Sequence, residues 1–145
     1  MAWHGSSTIP LLEDVTAEIA NQRNSPESHT IWEIVNHMPV WKEEARKTLE
    51  GGTFPFLPTE KEWPPVKDAS EKAWIEAVQN LKATHLRLIS AIEVFEQGLL
   101  DNVIKIDKVW PSPWSSTTYY GVLHGTLHHD VYHTGQIAIL KKQLQ

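Results

Sequence analysis

Apolar positions along this chain recur at intervals of three and four residues, in segments separated by proline- and glycine-rich breaks. That period is helical, and no convincing run of alternating apolar and polar residues argues for a strand. Ile9, Leu12, Val15 and Ile19 have roughly helical spacing, while Pro10 suits only a first turn and Thr16 is placed to begin a new short helix. A longer helix is expected to open near residues 28–30 and to stop at Gly51 and Gly52, with Ile31, Ile34, Val35, Met38, Trp41, Ala45 and Leu49 as its apolar stripe. Pro39 lies inside it. Proline lacks an N–H and crowds the carbonyl four residues earlier, here that of Val35, so a bend or a disrupted turn is expected beside His37.

Residues 53–66 hold Pro55, Pro58, Pro64 and Pro65 among Phe54, Phe56 and Trp63, which suits a long crossover pinned by aromatic side chains. Its length lets the chain return along a bundle. A third helix is expected over about residues 70–95, with Asp68 and Glu71 spaced as a capping box. Trp74, Val78, Leu81, His85, Leu88, Ile92 and Phe95 advance by alternating fours and threes, the spacing of a bundle seam. Residues 98–114 break again, at Pro111 and Pro113, and Ser115, Ser116 or Thr117 can cap a last helix running to about Lys142. On it Val122, Thr126, His129, His133, Gln136 and Leu140 repeat the four-three spacing, so two histidines and a glutamine interrupt an inward-facing stripe. The expected fold class is all-α, a four-helix bundle with a long crossover, as one domain over residues 1–145.

Composition narrows the chemistry. Apolar residues make up 41% and charged residues 21%, a globular balance, and the absence of cysteine excludes disulfides, iron–sulfur clusters, thiolate zinc sites and a protein-borne sulfur nucleophile. A metal here must be held by nitrogen and oxygen. Thirteen basic against eighteen acidic residues leave a net charge of −5, the wrong footprint for nucleic acid, since the basic residues make no stripe beyond Lys141 and Lys142. Residues 1–10 carry no Lys or Arg and no apolar run suited to a signal peptide, and no apolar stretch is long enough for a membrane span, so the expected address is the cytoplasm, without a membrane or nucleic-acid partner.

Four of the eight histidines fall between positions 124 and 133. Two pairs have His-x-x-x-His spacing, His124 with His128 and His129 with His133, and residues four apart lie one helical turn from each other, about 6 Å along the axis, so either pair can converge on one ion. Spacing alone does not choose, although the second pair shares the row of Val122, Thr126 and Leu140. Two helical imidazoles make a weak site, so a third ligand is expected from another helix. His37, between Ile34 and Trp41 on one face, is the slightly favoured candidate, and His85 its competitor. His4 and His29, near helix starts, suit packing or capping; Gln136, close to one turn beyond His133, suits a hydrogen bond to it or a buried amide; the seven tryptophans suit core and loop anchors.

The last helix, GTLHHDVYHTGQIAILKK, resembles the DinB-like family, named for a damage-inducible bacterial protein, in the DinB/YfiT-like superfamily that also contains the thiol S-transferase and maleylpyruvate isomerase metal domains. Gly125, His129, Asp130, Tyr132, His133, Gly135, Gln136 and Ile137 stand where its His-x-x-Tyr-His-x-Gly-Gln-Ile pattern wants them. SHTIWEIVNHMPVW is similar to the family's second-helix motif, with His37 in the ligand position, and AWHGSSTIPLLEDV resembles its opening segment. The resemblance implies a divalent metal held by His37, His129 and His133, leaving His124 and His128 off the ligand positions. Zinc or nickel leads, with iron, cobalt or copper as alternatives for imidazole donors. It also implies a homodimer and a metal-dependent enzyme. The activity would be thiol transfer with a low-molecular-weight thiol such as bacillithiol, or hydrolysis, on a small-molecule substrate; the rival is a non-catalytic metal- or ligand-binding module. Two features depart from the pattern: Pro39 so close to a ligand, and a first helix with room to be shorter than in relatives.

Overall fold

The structure is a computed structural model that describes residues 5–106 and 116–144. It is mostly helical. Two short helices, α1 (Thr8–Leu12) and α2 (Ala17–Asn21), precede a long one, α3 (Ile31–Leu49); a four-residue helix, α4 (Thr59–Glu62), lies in the crossover; α5 (Glu71–Val94) and α6 (Tyr119–Leu144) complete the bundle. Between α5 and α6 stands a small antiparallel pair, β1 (Val103–Lys105) and β2 (Ser116–Thr118), with Ile104 opposite Thr117. The alternation expected of strands is too short to read in three-residue elements, so this hairpin is absent from the sequence-based expectation.

Local chemistry explains the boundaries. Thr16 does begin a second short helix, its Oγ1 accepting from the Ile19 N–H at 3.3 Å. At α3 a full capping box forms: Thr30 Oγ1 accepts from the Glu33 N–H at 3.1 Å, and the Glu33 carboxylate accepts from the Thr30 N–H at 2.9 Å. The helix ends before Gly51, whose φ of +96° only glycine adopts without strain. The capping box expected from Asp68 and Glu71 does not form. Ser70 is the N-cap, accepting from the Ala73 N–H, while Asp68 accepts from the Ser70 N–H. Glu71 reaches across instead, taking the Ala17 N–H at 2.9 Å and so satisfying an orphan donor at the start of α2. For α6, Ser116 and Thr117 belong to β2 and Thr118 Oγ1 accepts from the Gly121 N–H; Ser115, Pro111 and Pro113 lie outside the described residues.

Helix α3 is the central element, packed between α5 and α6. Trp32 meets Trp74 edge-on near the start of both α3 and α5, and Ala45 and Leu49 share a cluster with Leu88 near their ends, so α3 and α5 run parallel. Helix α6 runs antiparallel to α3, its Val122 packed in that same far cluster and its Ile137 and Leu140 beside Ile31, Ile34 and Val35. A parallel neighbour requires the long return that residues 53–66 provide.

Two details differ from expectation at the level of single side chains. α3 continues without a break through Pro39, which is itself buried, so of the bend or disrupted turn expected there the disrupted turn does not occur. Proline still denies the Val35 carbonyl its usual donor, but Val35 and Met38 are locked in the core on either side and hold the turn closed. On α5 the seam passes through Thr84 and Ala91, not His85 and Ile92; both of these are exposed. A straight helix repeats every 3.6 residues rather than 3.5, and the small side chains at 77, 84 and 91 suit close approach to α3.

The polar layer deserves its place in the fold because it divides the core. Buried apolar side chains form one cluster at the end occupied by α1 and α2 and a second around Leu49, Leu88 and Ile104. Between them lie His37, Lys42, Thr84, Thr126 and His133, all buried. Replacing Thr30 with alanine is expected to lower unfolding free energy by about 1 kcal/mol by removing the α3 cap, measured by urea denaturation.

Candidate metal centre

Each of the three histidines is turned inward by its helix. His37 is buried on the central face of α3, one turn beyond Ile34; His133 is buried and His129 half-buried on the face of α6 that carries Thr126, Ile137 and Leu140. One nitrogen from each ring lies within 4.8 Å of the other two. His37 Nε2 and His129 Nε2 are 2.9 Å apart, and the ring centroids of His37 and His133 are 4.9 Å apart.

Hydrogen bonds set which nitrogens face inward. His37 Nδ1 is 2.7 Å from the Glu62 carbonyl oxygen, an acceptor only, so Nδ1 carries the proton and Nε2 presents its lone pair. His133 Nδ1–H likewise donates to Gln136 Oε1 at 2.6 Å, which resolves the role of Gln136 in favour of orienting the ring. His129 Nδ1 is buried without a hydrogen-bond partner.

The crossover supplies the rest of the wall. Trp63 stacks flat on His37, centroids 3.8 Å apart and planes within 5°, and His29 stacks on the opposite face of the indole at 3.6 Å. Glu62 Oε1 accepts from Trp41 Nε1 at 3.2 Å. Residues 62 and 63 therefore hold His37 by its edge and by its face. Their contribution was invisible in the sequence, where a proline-rich loop has no period from which to infer direction; the run of aromatic residues was the only signal. Five residues beyond His37, buried Lys42 pairs with Asp130 of α6, tying the two helices together beside the centre; Asp130 Oδ1 is buried without a partner.

The other histidines are placed elsewhere. His124 and His128 are exposed and contact each other, with His124 stacked on Tyr120. His85 is exposed and outside the cluster. His29 packs on Trp63 and lies 3.3 Å from the Glu33 carboxylate, the packing role expected of it. His4 lies outside the described residues, as do Trp3, Trp110 and Trp114, whereas Trp32 and Trp74 are core.

The cluster opens on a cavity of about 560 Å³ whose walls include Trp41, Phe54, Glu62, Trp63, Ile106, Val122 and Gly125. Burial is the main cause that holds all three imidazoles below their ordinary pKa of 6.5, and the neighbouring rings add to it; His129, also near Lys42, is pushed down to about 3. Three neutral imidazoles, two of them with their Nε2 lone pairs left free by the hydrogen bonds at Nδ1, form a donor set that fits a divalent ion of the borderline class.

A family model described as DinB superfamily matches residues 1–137. No curated protein and no solved structure matches the chain.

The depressed pKa values give a pH dependence with a definite sign. Histidines in the unfolded chain take up protons near pH 6.5, while the folded rings resist until lower pH, so the unfolded state binds more protons in between and stability falls as the pH drops. Metal-free protein is expected to lose thermal stability steadily between pH 6.5 and about 5, above the range in which carboxylates titrate. His129→Gln should flatten that slope in scanning calorimetry; an unchanged slope would count against the assignment.

Proposed function

The chain belongs to the DinB superfamily, and from that premise we propose that His37, His129 and His133 together hold one divalent metal ion at the reactive end of the adjoining cavity, in an enzyme of group transfer or hydrolysis. The observation that carries this reading is the paired tautomer control: the Glu62 carbonyl and Gln136 Oε1 each take an Nδ1–H, leaving two Nε2 lone pairs free in a cluster whose ligand atoms lie within 4.8 Å of one another. A buried imidazole used only for packing has no need of convergent lone pairs from two helices. Such outer partners orient ligand histidines in metal sites generally.

Bound there, a divalent ion supplies Lewis acidity towards a substrate oxygen or a thiol. Three protein donors are one fewer than a closed tetrahedral shell, the arrangement of reactive sites rather than structural ones. The chain's own residues do the positioning. Trp63 and the Glu62 carbonyl fix His37, Gln136 fixes His133, and the Lys42–Asp130 pair fixes the spacing of α3 and α6. With no cysteine in the chain, sulfur chemistry would draw its thiol from a low-molecular-weight cosubstrate of the bacillithiol type. The cavity open to the centre favours this over a closed binding module. Zinc or nickel, a cytoplasmic setting and a homodimer belong to the same reading. No described helix is long and apolar enough to cross a membrane, and exposed Leu127, Val131 and Ile139 on α6 support pairing of copies.

Protein purified without a histidine tag is expected to carry one equivalent of metal by mass spectrometry of the metal content. His129→Ala should weaken binding by more than about a hundredfold, and Gln136→Leu by about ten- to a hundredfold, whereas His124→Ala should leave it unchanged. Equal loss in the His124 and His129 variants would overturn the assignment. For the activity, metal-loaded protein should conjugate a cellular thiol to a model electrophile; failure with every thiol tried removes the transferase reading.

A further inference from the structure

The cavity beside the three histidines has a chemical bias of its own. At about 560 Å³ it is of the size that encloses a small organic molecule. Aromatic side chains of α3 and the crossover bound it, with Trp41 stacked on Phe54 at 5.7 Å and Trp63 fixed against His37. Ile106 and Val122 extend the apolar wall. Among the described residues that line it there is no lysine or arginine, and the nearby Lys42 is buried in its pair with Asp130. Among the described lining residues the one carboxylate is Glu62, whose Oε1 is held by the Trp41 indole N–H.

An anion entering this space would leave water for an apolar enclosure, meet a carboxylate and find no cationic side chain among the described lining, which is costly. A flat, uncharged molecule loses nothing comparable and gains burial against Trp41, Phe54 and the edge of Trp63, whose two faces are covered by His37 and His29. Gly125 points the same way. It lies on the cavity wall in the middle of α6, and a Cβ added there would meet no atom within 4 Å, so the free space begins at the helix backbone. We propose that this cavity binds an uncharged aromatic molecule, its polar substituent towards His37, His129 and His133 and its ring against the Trp41–Phe54 pair and the edge of Trp63. The part of a substrate that this cavity takes is then neutral and aromatic or similarly apolar, any anionic group being confined to the end at the three histidines, where a bound ion's charge would meet it. This deepens the reading of the centre as the reactive end of the cavity and rests on it.

Isothermal titration of the full chain with 2-naphthol and 2-naphthoate, first without metal and then with one equivalent of zinc, separates the two ideas. Without metal, 2-naphthol is expected to bind at least about tenfold more tightly than 2-naphthoate. Gly125→Leu, which fills the cavity from a helical position open to a side chain, should weaken 2-naphthol at least about tenfold with the circular-dichroism spectrum unchanged. Glu62→Gln keeps the backbone carbonyl that holds His37 and should narrow the preference by strengthening 2-naphthoate alone. Equal affinity for the two probes in metal-free protein, no measurable 2-naphthol binding, or full 2-naphthol affinity in the Gly125→Leu variant would each overturn the proposal. Binding of 2-naphthol by protein that fails to take up zinc would support the cavity assignment while removing the metal reading.

Discussion

The hydrogen bond from His37 Nδ1 to the carbonyl of Glu62 joins the two parts of the molecule on which everything else depends. An imidazole in the interior of a bundle costs free energy unless its N–H is satisfied. The acceptor comes from the crossover rather than from α3 itself, at a residue followed by a tryptophan that lies flat on the same ring. Because the crossover must pass that point, its course along the bundle is constrained, and with it the parallel arrangement of α3 and α5. The loop that makes the topology possible is thus also the wall of the centre.

A polar layer in the middle of a helical core must offset the burial it forgoes. Here two apolar clusters lie above and below it, and the layer is largely satisfied within itself: Thr84 and Thr126 donate to carbonyls four residues earlier, His133 to Gln136, Lys42 to Asp130. What remains unsatisfied is confined to two atoms among the described residues, His129 Nδ1 and Asp130 Oδ1, adjacent in sequence on α6. Unpaired buried polar atoms are uncommon in folded proteins, and their concentration beside the histidine cluster marks this layer as the place where packing has been subordinated to chemistry.

Much of this was legible in the residues alone, and the exceptions have physical causes. Long helices declare themselves by period, so α3, α5 and α6 and the inward turn of His37, His129 and His133 could be read from spacing. His85 could not: over the length of α5 the difference between 3.5 and 3.6 residues per turn is enough to move position 85 from the seam to the surface while position 84 takes its place. Asp68 and Glu71 have the spacing of a capping box, but Glu71 finds a better use in the unpaired N–H of Ala17, a tertiary partner that no local pattern reveals. The same holds for Glu62 and Trp63. Loop residues have no periodic face, so their direction is decided by what they meet, and the stack on His37 becomes visible only in three dimensions. The strands escape notice because three residues with a single buried position carry almost no alternation.

Helix α6 shows how one helical row can set both the reactive groups and the room beside them. Gly121, Gly125, His129 and His133 follow one another at steps of four, and such a row drifts only slowly around a helix of 3.6 residues per turn. Its C-terminal half carries imidazoles and its N-terminal half carries no side chains at all. Gly121 is explained by packing, since a Cβ there would strike Thr117 Oγ1 at 2.4 Å; Gly125 has no such neighbour and borders the cavity. Glycine inside a helix costs up to about 1 kcal/mol relative to alanine. Rotating α6 enough to cover Gly125 would carry His129 away from His37, so the depth of the cavity and the convergence of the rings are a single geometric choice. That coupling makes the empty space part of the centre rather than a defect in the packing around it.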